Sequence, residues 1–298
     1  VKNYRNILFV INPASGTSHR KPGSTLISNF FKNTDVKPVI KVTGHPKQAS
    51  EFTREAVQQS FDAVIAVGGD GTVNEVANEL VNTQTALGII PSGSGNGLAR
   101  HHRVPFDHRK ALQVILENRI CNHDAIRIND HLSVNVSGIG FDAHVAHLFG
   151  KNGKRGFSSY VKLVLKEFND YNESLITIET AGARKEYKMM LTAIANGSQF
   201  GNNARIAPLA DTNDGLADIS VVRKMGLIQL PEFFYRVFTG NAAKSPHAVC
   251  LQQPEYTITC EKALPLHIDG EPCGTAHQFR VTAIQSAFKF IKPLSNVK

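Results

Sequence analysis

Cysteine is scarce in this chain and what there is does not pair by spacing: Cys121, Cys250, Cys260 and Cys273 form no CxxC motif and no metal-finger pattern. A disulfide framework and a zinc finger are thereby set aside, and reduced thiols in a cytoplasmic protein are the expectation. Long apolar runs are also missing. The longest, such as Ala63–Val67 and Leu87–Ile90, are strand-length, far short of the roughly 20 residues that a membrane-spanning helix requires. Val1–Arg5 runs directly into the strand-like Ile7–Ile11, so no secretory leader is expected. Low-complexity tracts are absent too, and 42% of the residues are hydrophobic, which is the composition of a globular protein throughout. The twelve histidines include no HExxH, and His101-His102 reads as a polar helix end rather than a ligand pair. No GxSxG elbow supports a hydrolase, no GxxxxGK[ST] a P-loop NTPase, and no GxGxxG opens the first helix of a dinucleotide oxidoreductase. The net charge of +8 favours anionic partners, but Arg100–Arg103 and Lys151–Arg155 are only local concentrations without interleaved aromatics. Nucleic acid is therefore not an expected partner.

What is present is an alternation. With 298 residues, the chain is long for one core, so two domains with an active site between them are expected. Ile7–Ile11 and Val36–Val42 read as strands, with Leu26, Ile27, Phe30 and Phe31 forming a helical stripe between them. Ala49, Phe52, Ala56 and Val57 predict a second helix after Pro46. Ala63–Val67, a helix carrying Val73, Val76, Ala77 and Leu80, the strand Leu87–Ile90 and helical patterns near Gly97–His102 and Lys110–Glu117 complete a βα series. Such a series implies a mainly parallel sheet over residues 1–123. From Asp124 the texture becomes alternating, as in Leu132–Val136 and Tyr256–Cys260, so residues 124–285 are expected to be mainly antiparallel β. Two helices, near Tyr160–Phe168 and Leu227–Phe238, should interrupt it, and the tail 286–298 could return to the first domain.

Three glycine-bearing turns follow three of the parallel strands: Asn12-Pro13-Ala14-Ser15-Gly16-Thr17, Gly68-Gly69-Asp70-Gly71-Thr72 and Pro91-Ser92-Gly93-Ser94-Gly95-Asn96-Gly97. In a parallel α/β sheet these turns leave at the same edge, where ligands bind. A helix N-terminus preceded by glycine presents backbone N–H groups to phosphate oxygens, and glycine admits both positive φ and close approach. One such turn would be an ordinary strand-to-helix corner. Three at equivalent strand ends point to a phosphate-bearing ligand.

In order and spacing, these turns, with Val73-Asn74-Glu75, Gly138-Ile139-Gly140-Phe141-Asp142, Asn213-Asp214-Gly215-Leu216 and Asp269-Gly270-Glu271, resemble the catalytic region shared by diacylglycerol kinases, sphingosine kinases and their bacterial lipid-kinase relatives. The resemblance covers essentially the whole chain. It implies an α/β + β architecture: an N-terminal phosphofructokinase/NAD-kinase-like α/β domain followed by a C-terminal β-sandwich domain. It further implies ATP as phosphoryl donor, held in the cleft by Asn12, Pro13, Ala14, Ser15, Gly16, Thr43, Gly68, Gly69, Asp70, Gly71, Thr72, Val73, Asn74 and Ser94. Mg²⁺ would be held by Asp211, Asp214 and Leu216. The sequence departs from the family at Ser94, where Thr is common, and at Gly97, where many bacterial diacylglycerol kinases carry Asp.

Phosphoryl transfer needs a hard cation, in-line positioning and a proton acceptor near the attacking hydroxyl. Asp70, Asp124, Asp211 and Asp214 are the cation candidates by residue type. Taken alone, Asp211–Gly215 and Asp269-Gly270 also fit plain turns. The resemblance selects Glu271 as base with Asp269 beside it, and Asp70 as the rival base. The expected function is an ATP-dependent lipid kinase acting on a lipid alcohol, cytoplasmic and peripheral at an anionic inner membrane face, with a homodimer allowed. The competing expectations are an NAD kinase, which shares the Gly-Gly-Asp-Gly-Thr loop, and a catalytically silent regulator that binds lipid or nucleotide, which Gly97 would favour.

Overall fold

The computed structural model describes residues 4–16, 23–151 and 157–294. Thr17 of the first turn and 152–155 of the second basic concentration lie outside them. The chain divides into two compact units, one running to His123 and resuming at Ser286, the other Asp124–Gln285.

The first unit is built from β1 (Asn6–Ile11), α1 (Ser24–Phe31), β2 (Lys37–Val42), α2 (Gln48–Gln58), β3 (Ala63–Gly68), α3 (Asp70–Leu80), β4 (Ala86–Pro91), α4 (Gly97–His101) and α5 (His108–Glu117). β1 pairs in parallel with both β2 and β3, and β3 with β4, which gives the order β2-β1-β3-β4. Strands β3 and β4 are buried at every position, as their unbroken apolar runs require of a sheet covered on both faces. Ile27 and Phe31 of α1 and Ala111, Leu112 and Ile115 of α5 close over Phe9, Ile65 and Ile90. Asp107 caps α5 by accepting the Lys110 N–H at 2.9 Å. Glu75 of α3 does the same for α2 from outside, taking the N–H groups of Lys47 and Ala49 at 3.1 and 3.2 Å.

His101 and His102 end α4 as expected, but the His102 ring turns inward. Its ring lies 4.3 Å from Phe290 and 5.1 Å from His123, centroid to centroid, and His123 stacks on Phe288 at 4.7 Å. Burial, with His123, His101 and Lys292 beside it, pushes the His102 imidazole well below its ordinary value, so the ring is neutral at physiological pH.

β5 (Ile120–Ile128) carries the chain into the second unit, which continues with β6 (His131–Ser133), β7 (Val136–Gly140), α6 (Phe141–Lys151), α7 (Phe157–Phe168), β8 (Ser174–Thr180), β9 (Ala183–Met189), β10 (Leu191–Ala195), β11 (Ala217–Val222) and α8 (Leu230–Thr239). A 3-10 turn, Ala242–Lys244, then leads to β12 (Ala248–Gln253), β13 (Glu255–Ile268) and β14 (Glu271–Ile291). The pairings β12-β11-β10-β7-β13 and β13-β8-β9 are all antiparallel. Alternate residues of these strands, among them Ile126, Ile139, Ile178, Ile219, Ile258 and Phe279, fill one core. A second core lies under the helices, where Phe141, Val145, Phe168, Phe233 and Val237 meet.

Two helices were expected here, and three α-helices are present among the described residues. α6 was missed because it begins inside Gly138–Asp142, which reads as a glycine turn. Phe141, Val145 and Leu148, at four- and three-residue spacing, are the signal that marks it. β14 leaves the second unit as one arm of a β13–β14 hairpin and ends in the first, where Lys289 and Phe290 pair in parallel with Ala86 and Leu87.

Candidate active site

Because β1, β3 and β4 are parallel neighbours, their carboxyl ends bring the three glycine-bearing turns side by side. Backbone bonds lace them together: Asn12 N–H donates to Val67 O at 3.0 Å, and Ser92 N–H to Gly68 O at 2.8 Å. The Asn12 side chain spans two turns, donating to Thr72 Oγ1 at 3.0 Å while its Oδ1 accepts the Ala14 N–H at 2.9 Å. Some of the glycines serve this packing directly. A Cβ on Gly93 would lie 2.5 Å from the Gly69 Cα, and one on Gly16, which has φ +71°, would lie 2.1 Å from the Ser92 carbonyl oxygen.

Asp70 is the clasp. Its Oδ2 accepts the Asn96 N–H at 2.8 Å and its Oδ1 the Gly97 N–H at 2.7 Å, so one carboxylate at the start of α3 holds the start of α4. Asn96, in left-handed backbone at φ 53°, folds its amide back onto Gly93 N and O at 3.0 and 2.6 Å. Arg100 reaches back from α4 to Gly95 O at 3.1 Å, with its guanidinium 4.3 Å from the Phe106 ring centroid. Among the described residues no side chain caps α3 at Gly69, and its first intrahelical bond is Val73 N–H to Gly69 O at 3.1 Å. The Gly71 and Thr72 N–H groups that precede it have no acceptor within the helix, which is the arrangement that receives an anion.

The remaining expected nucleotide contacts differ in accessibility. Pro13, Ala14 and Ser94 are exposed, whereas Ser15, Thr43, Thr72 and Val73 are buried. Thr43 Oγ1 donates to Ile11 O at 3.4 Å and Ser15 Oγ to Asn12 O at 2.9 Å, so both hydroxyls shape the first turn. Asn74 Oδ1 accepts from Asn78 Nδ2 at 2.9 Å.

In the second unit, Asp269 and Gly270 join β13 to β14 with φ values of +48° and +93°, the left-handed pair that a tight Asp-Gly hairpin demands. Asp269 and Glu271 then part company. Asp269 is buried, and its carboxylate accepts Ser133 Oγ at 2.8 Å, the Val134 N–H at 2.9 Å and the Asn135 N–H at 3.0 Å. Its own N–H donates to Ser137 Oγ at 3.1 Å, and Ser137 donates to Ser133 Oγ at 2.8 Å. Glu271 is exposed.

The turn has a further support that the sequence did not announce. His267 is buried, and its Nδ1 accepts the Gly270 N–H at 3.1 Å. An accepting Nδ1 puts the proton of the neutral ring on Nε2. Nε2 then donates to Asp142 Oδ2 at 3.3 Å, while Asp142 Oδ1 accepts the Ala143 N–H at 2.9 Å. Gly138 makes room for the pair, since a Cβ there would lie 1.9 Å from Asp142 Oδ2. The motifs Gly138–Asp142 and Asp269–Glu271 thus meet through one imidazole.

The acidic loop is a third construction. Asp211 Oδ1 accepts the Asn213 N–H at 3.1 Å and Asp214 Oδ1 the Leu216 N–H at 2.9 Å. Asp124 fastens it, taking the Gly215 N–H at 2.7 Å and donating its own N–H to Thr212 O at 2.7 Å. Asp218, buried nearby on β11, is pushed up to about 7 by burial first and then by Asp214 and Asp211, against a hydrogen bond from Gln252 at 3.0 Å. Among the described residues no group of three His, Cys, Asp or Glu side chains is arranged to hold a metal ion. The loop is nonetheless a crowd of hard oxygen donors whose mutual repulsion a cation would relieve, so its chemistry fits Mg²⁺.

Two domain models account for nearly all of the chain: the diacylglycerol kinase catalytic domain over residues 6–128, and the YegS C-terminal NAD kinase beta sandwich-like domain over residues 135–289. The chain belongs to the YegS-like lipid kinase family. The α/β unit followed by a β-sandwich-like unit is the architecture of that family. A probable lipid kinase YegS-like from Pectobacterium atrosepticum is 30% identical over 255 residues, 83% of this chain and 84% of its own. The diacylglycerol kinase of Bacillus subtilis is 24% identical over 270 residues, 89% of each chain. A diacylglycerol kinase structure from Bacillus anthracis covers 100% of both chains with a TM-score of 0.74 at 19% identity, and a second structure from the same organism reaches 0.82 at 22%. Family membership makes the chain a kinase-type protein with ATP the implied phosphoryl donor. No helix among the described residues is long and apolar enough to cross a membrane.

Proposed function

We propose that this protein transfers the γ-phosphoryl group of ATP to the hydroxyl of a lipid alcohol. The observation that carries the reading is the Asp70 clasp, which fixes two glycine-bearing turns at adjacent strand ends and leaves helix N–H groups toward an anion. In this reading the Gly68–Asn74 and Asn12–Gly16 turns hold the phosphates through main-chain N–H groups. Asn12 keeps the two turns in register through Thr72. Because both Asp70 oxygens already accept backbone N–H groups, Asp70 serves as an organiser and the proton goes elsewhere. Glu271 is the acceptor: it is exposed, while Asp269 is buried in its own hydrogen bonds and positions the turn. Asp211, Asp214 and the Leu216 carbonyl would hold Mg²⁺, with Asp124 fixing the loop around it. Mg²⁺ would supply charge compensation in this acidic segment when bound. The acceptor class is a lipid alcohol, diacylglycerol-like or sphingoid, presented at an anionic membrane surface.

The test is incubation of the protein with labelled ATP, Mg²⁺ and separate diacylglycerol, sphingosine, phosphatidylglycerol and NAD. A labelled lipid is expected; label on NAD alone, or on nothing, overturns the proposal. Glu271→Gln should lower turnover by about 10²–10⁴-fold with unchanged unfolding temperature, the usual worth of a general base. Full turnover in that variant removes Glu271 from the role.

A further inference from the structure

The outward face of α8 and of the turn before it has no use in the chemistry above. Leu230, Phe233 and Val237 point inward and are buried against the helical core of the second unit. On the other side Leu227 is 57% exposed, Ile228 96%, Tyr235 70% and Phe238 40%. Ten large hydrophobic side chains are exposed among the described residues, and four of them fall in the twelve residues 227–238. Singly exposed apolar residues are ordinary, but this clustering is not. Pro231, Tyr235 and Phe238, also exposed, stand at four- and three-residue spacing, so they share one face of the helix, and Ile228 precedes that face by one turn. α8 is therefore apolar on two sides.

The charge around this stripe says what would cover it. Residues 223–244 contain Arg223, Lys224, Arg236 and Lys244 against Glu232, which Arg236 engages at 2.6 Å, and Glu173, which accepts the Lys224 N–H at 2.8 Å. Arg205 adds a fifth cation at the C-terminal end, where its N–H donates to Val237 O at 3.1 Å and its Nη1 lies 3.4 Å from where a Cβ on Gly240 would sit. The cations flank the apolar centre at both ends. An isologous contact with a second copy would set these cations against their own images, which is unfavourable. Acyl chains under anionic headgroups match both halves of the pattern.

We propose that the Leu227–Phe238 face is the membrane-docking surface, inserting Ile228, Tyr235 and Phe238 into the headgroup–acyl boundary of an anionic bilayer. This rests on the lipid-kinase reading for its biological sense, yet it is measurable without turnover.

The absence of tryptophan supplies the experiment. Tyr235→Trp gives the chain a single indole on the proposed face, and Val42→Trp gives one at an exposed position of the first unit as a control. With vesicles of phosphatidylcholine plus phosphatidylglycerol, the Tyr235→Trp emission should shift to the blue and be quenched by brominated acyl chains, while Val42→Trp emission stays unchanged. In co-sedimentation, the variant Ile228→Ser/Tyr235→Ser/Phe238→Ser should bind those vesicles about tenfold or more weakly than the parent. Arg223→Glu/Lys244→Glu should lose the preference for phosphatidylglycerol over pure phosphatidylcholine. Both variants should retain turnover on a detergent-dispersed acceptor.

Vesicle binding unchanged in the triple variant overturns the proposal, as does no vesicle binding by the parent. A fall in oligomeric mass of the triple variant in sedimentation velocity also overturns it, by assigning the face to a second copy. Vesicle binding through this face by a protein that phosphorylates no lipid would uphold the docking surface and defeat the functional reading, so the two can fail separately.

Discussion

The two units solve the same problem, holding a carboxylate in place, over very different chain distances. In the first, Asp70 and its partners Asn96 and Gly97 sit one βα step apart, and the clasp follows once β3 and β4 pair in parallel. In the second, Asp269 is tied to a segment 134 to 136 positions away in sequence and His267 to a partner 125 positions away. A site at the carboxyl edge of a parallel sheet is assembled by local repetition. One in an antiparallel unit waits on long-range strand pairing, and its support must be made of buried polar contacts that tolerate no missing partner.

The sharpest way to break that comparison is to remove each anchoring carboxylate. Asp269→Ala leaves three donors without their acceptor in a buried place and should cost about 3–5 kcal/mol of stability, read from urea unfolding. Asp70→Ala exposes two N–H groups in a less enclosed spot and should cost less, about 1–3 kcal/mol. Equal losses would mean that the two constructions are energetically alike.

His267 separates its two contacts. Asn can place an acceptor near Nδ1, and Gln can place a donor near Nε2. If the hold on Gly270 positions Glu271, His267→Asn should keep most of the turnover and His267→Gln should lose about tenfold in kcat, with KM for ATP unchanged in both. The reverse order would make the Asp142 contact the important one.

Asp218 gives an effect that depends on pH. Its folded value near 7 lies above the ordinary 3.8, so between those pH values the folded chain binds more protons than the unfolded one. Stability from this group is present below about pH 4 and is lost as pH rises through about 7. Asp218→Asn should therefore match the parent at low pH and exceed it in stability above pH 7. Added Mg²⁺ should narrow the gap by stabilising the parent. A gap that does not depend on pH would sink this account.

Legibility in the sequence tracks the same contrast. The central strands β3 and β4 could be read because both faces are covered, which leaves unbroken runs such as Ala63–Val67. The three turns could be read because glycine must stand where the chain turns or another backbone approaches, as at Gly16 and Gly93. α6 could not, because its first turn looks like the end of a glycine corner. Nor could His267, since nothing in a strand of alternating residues distinguishes a histidine that holds a turn from one that fills a core. The different fates of Asp269 and Glu271, two residues apart, were equally hidden.

By itself, then, the sequence determined the α/β-then-β order, the identity of the turns and the carboxylates available for chemistry, because hydrophobic period and glycine placement are local properties of the chain. Only the tertiary structure decided which donors each carboxylate meets. Asp70 clasps α4, Asp269 is consumed by the Ser133–Asn135 segment, and Glu271 is left exposed. The reason is physical: a carboxylate's role depends on which donors surround it, and those donors arrive from strands and turns that sequence spacing does not bring together.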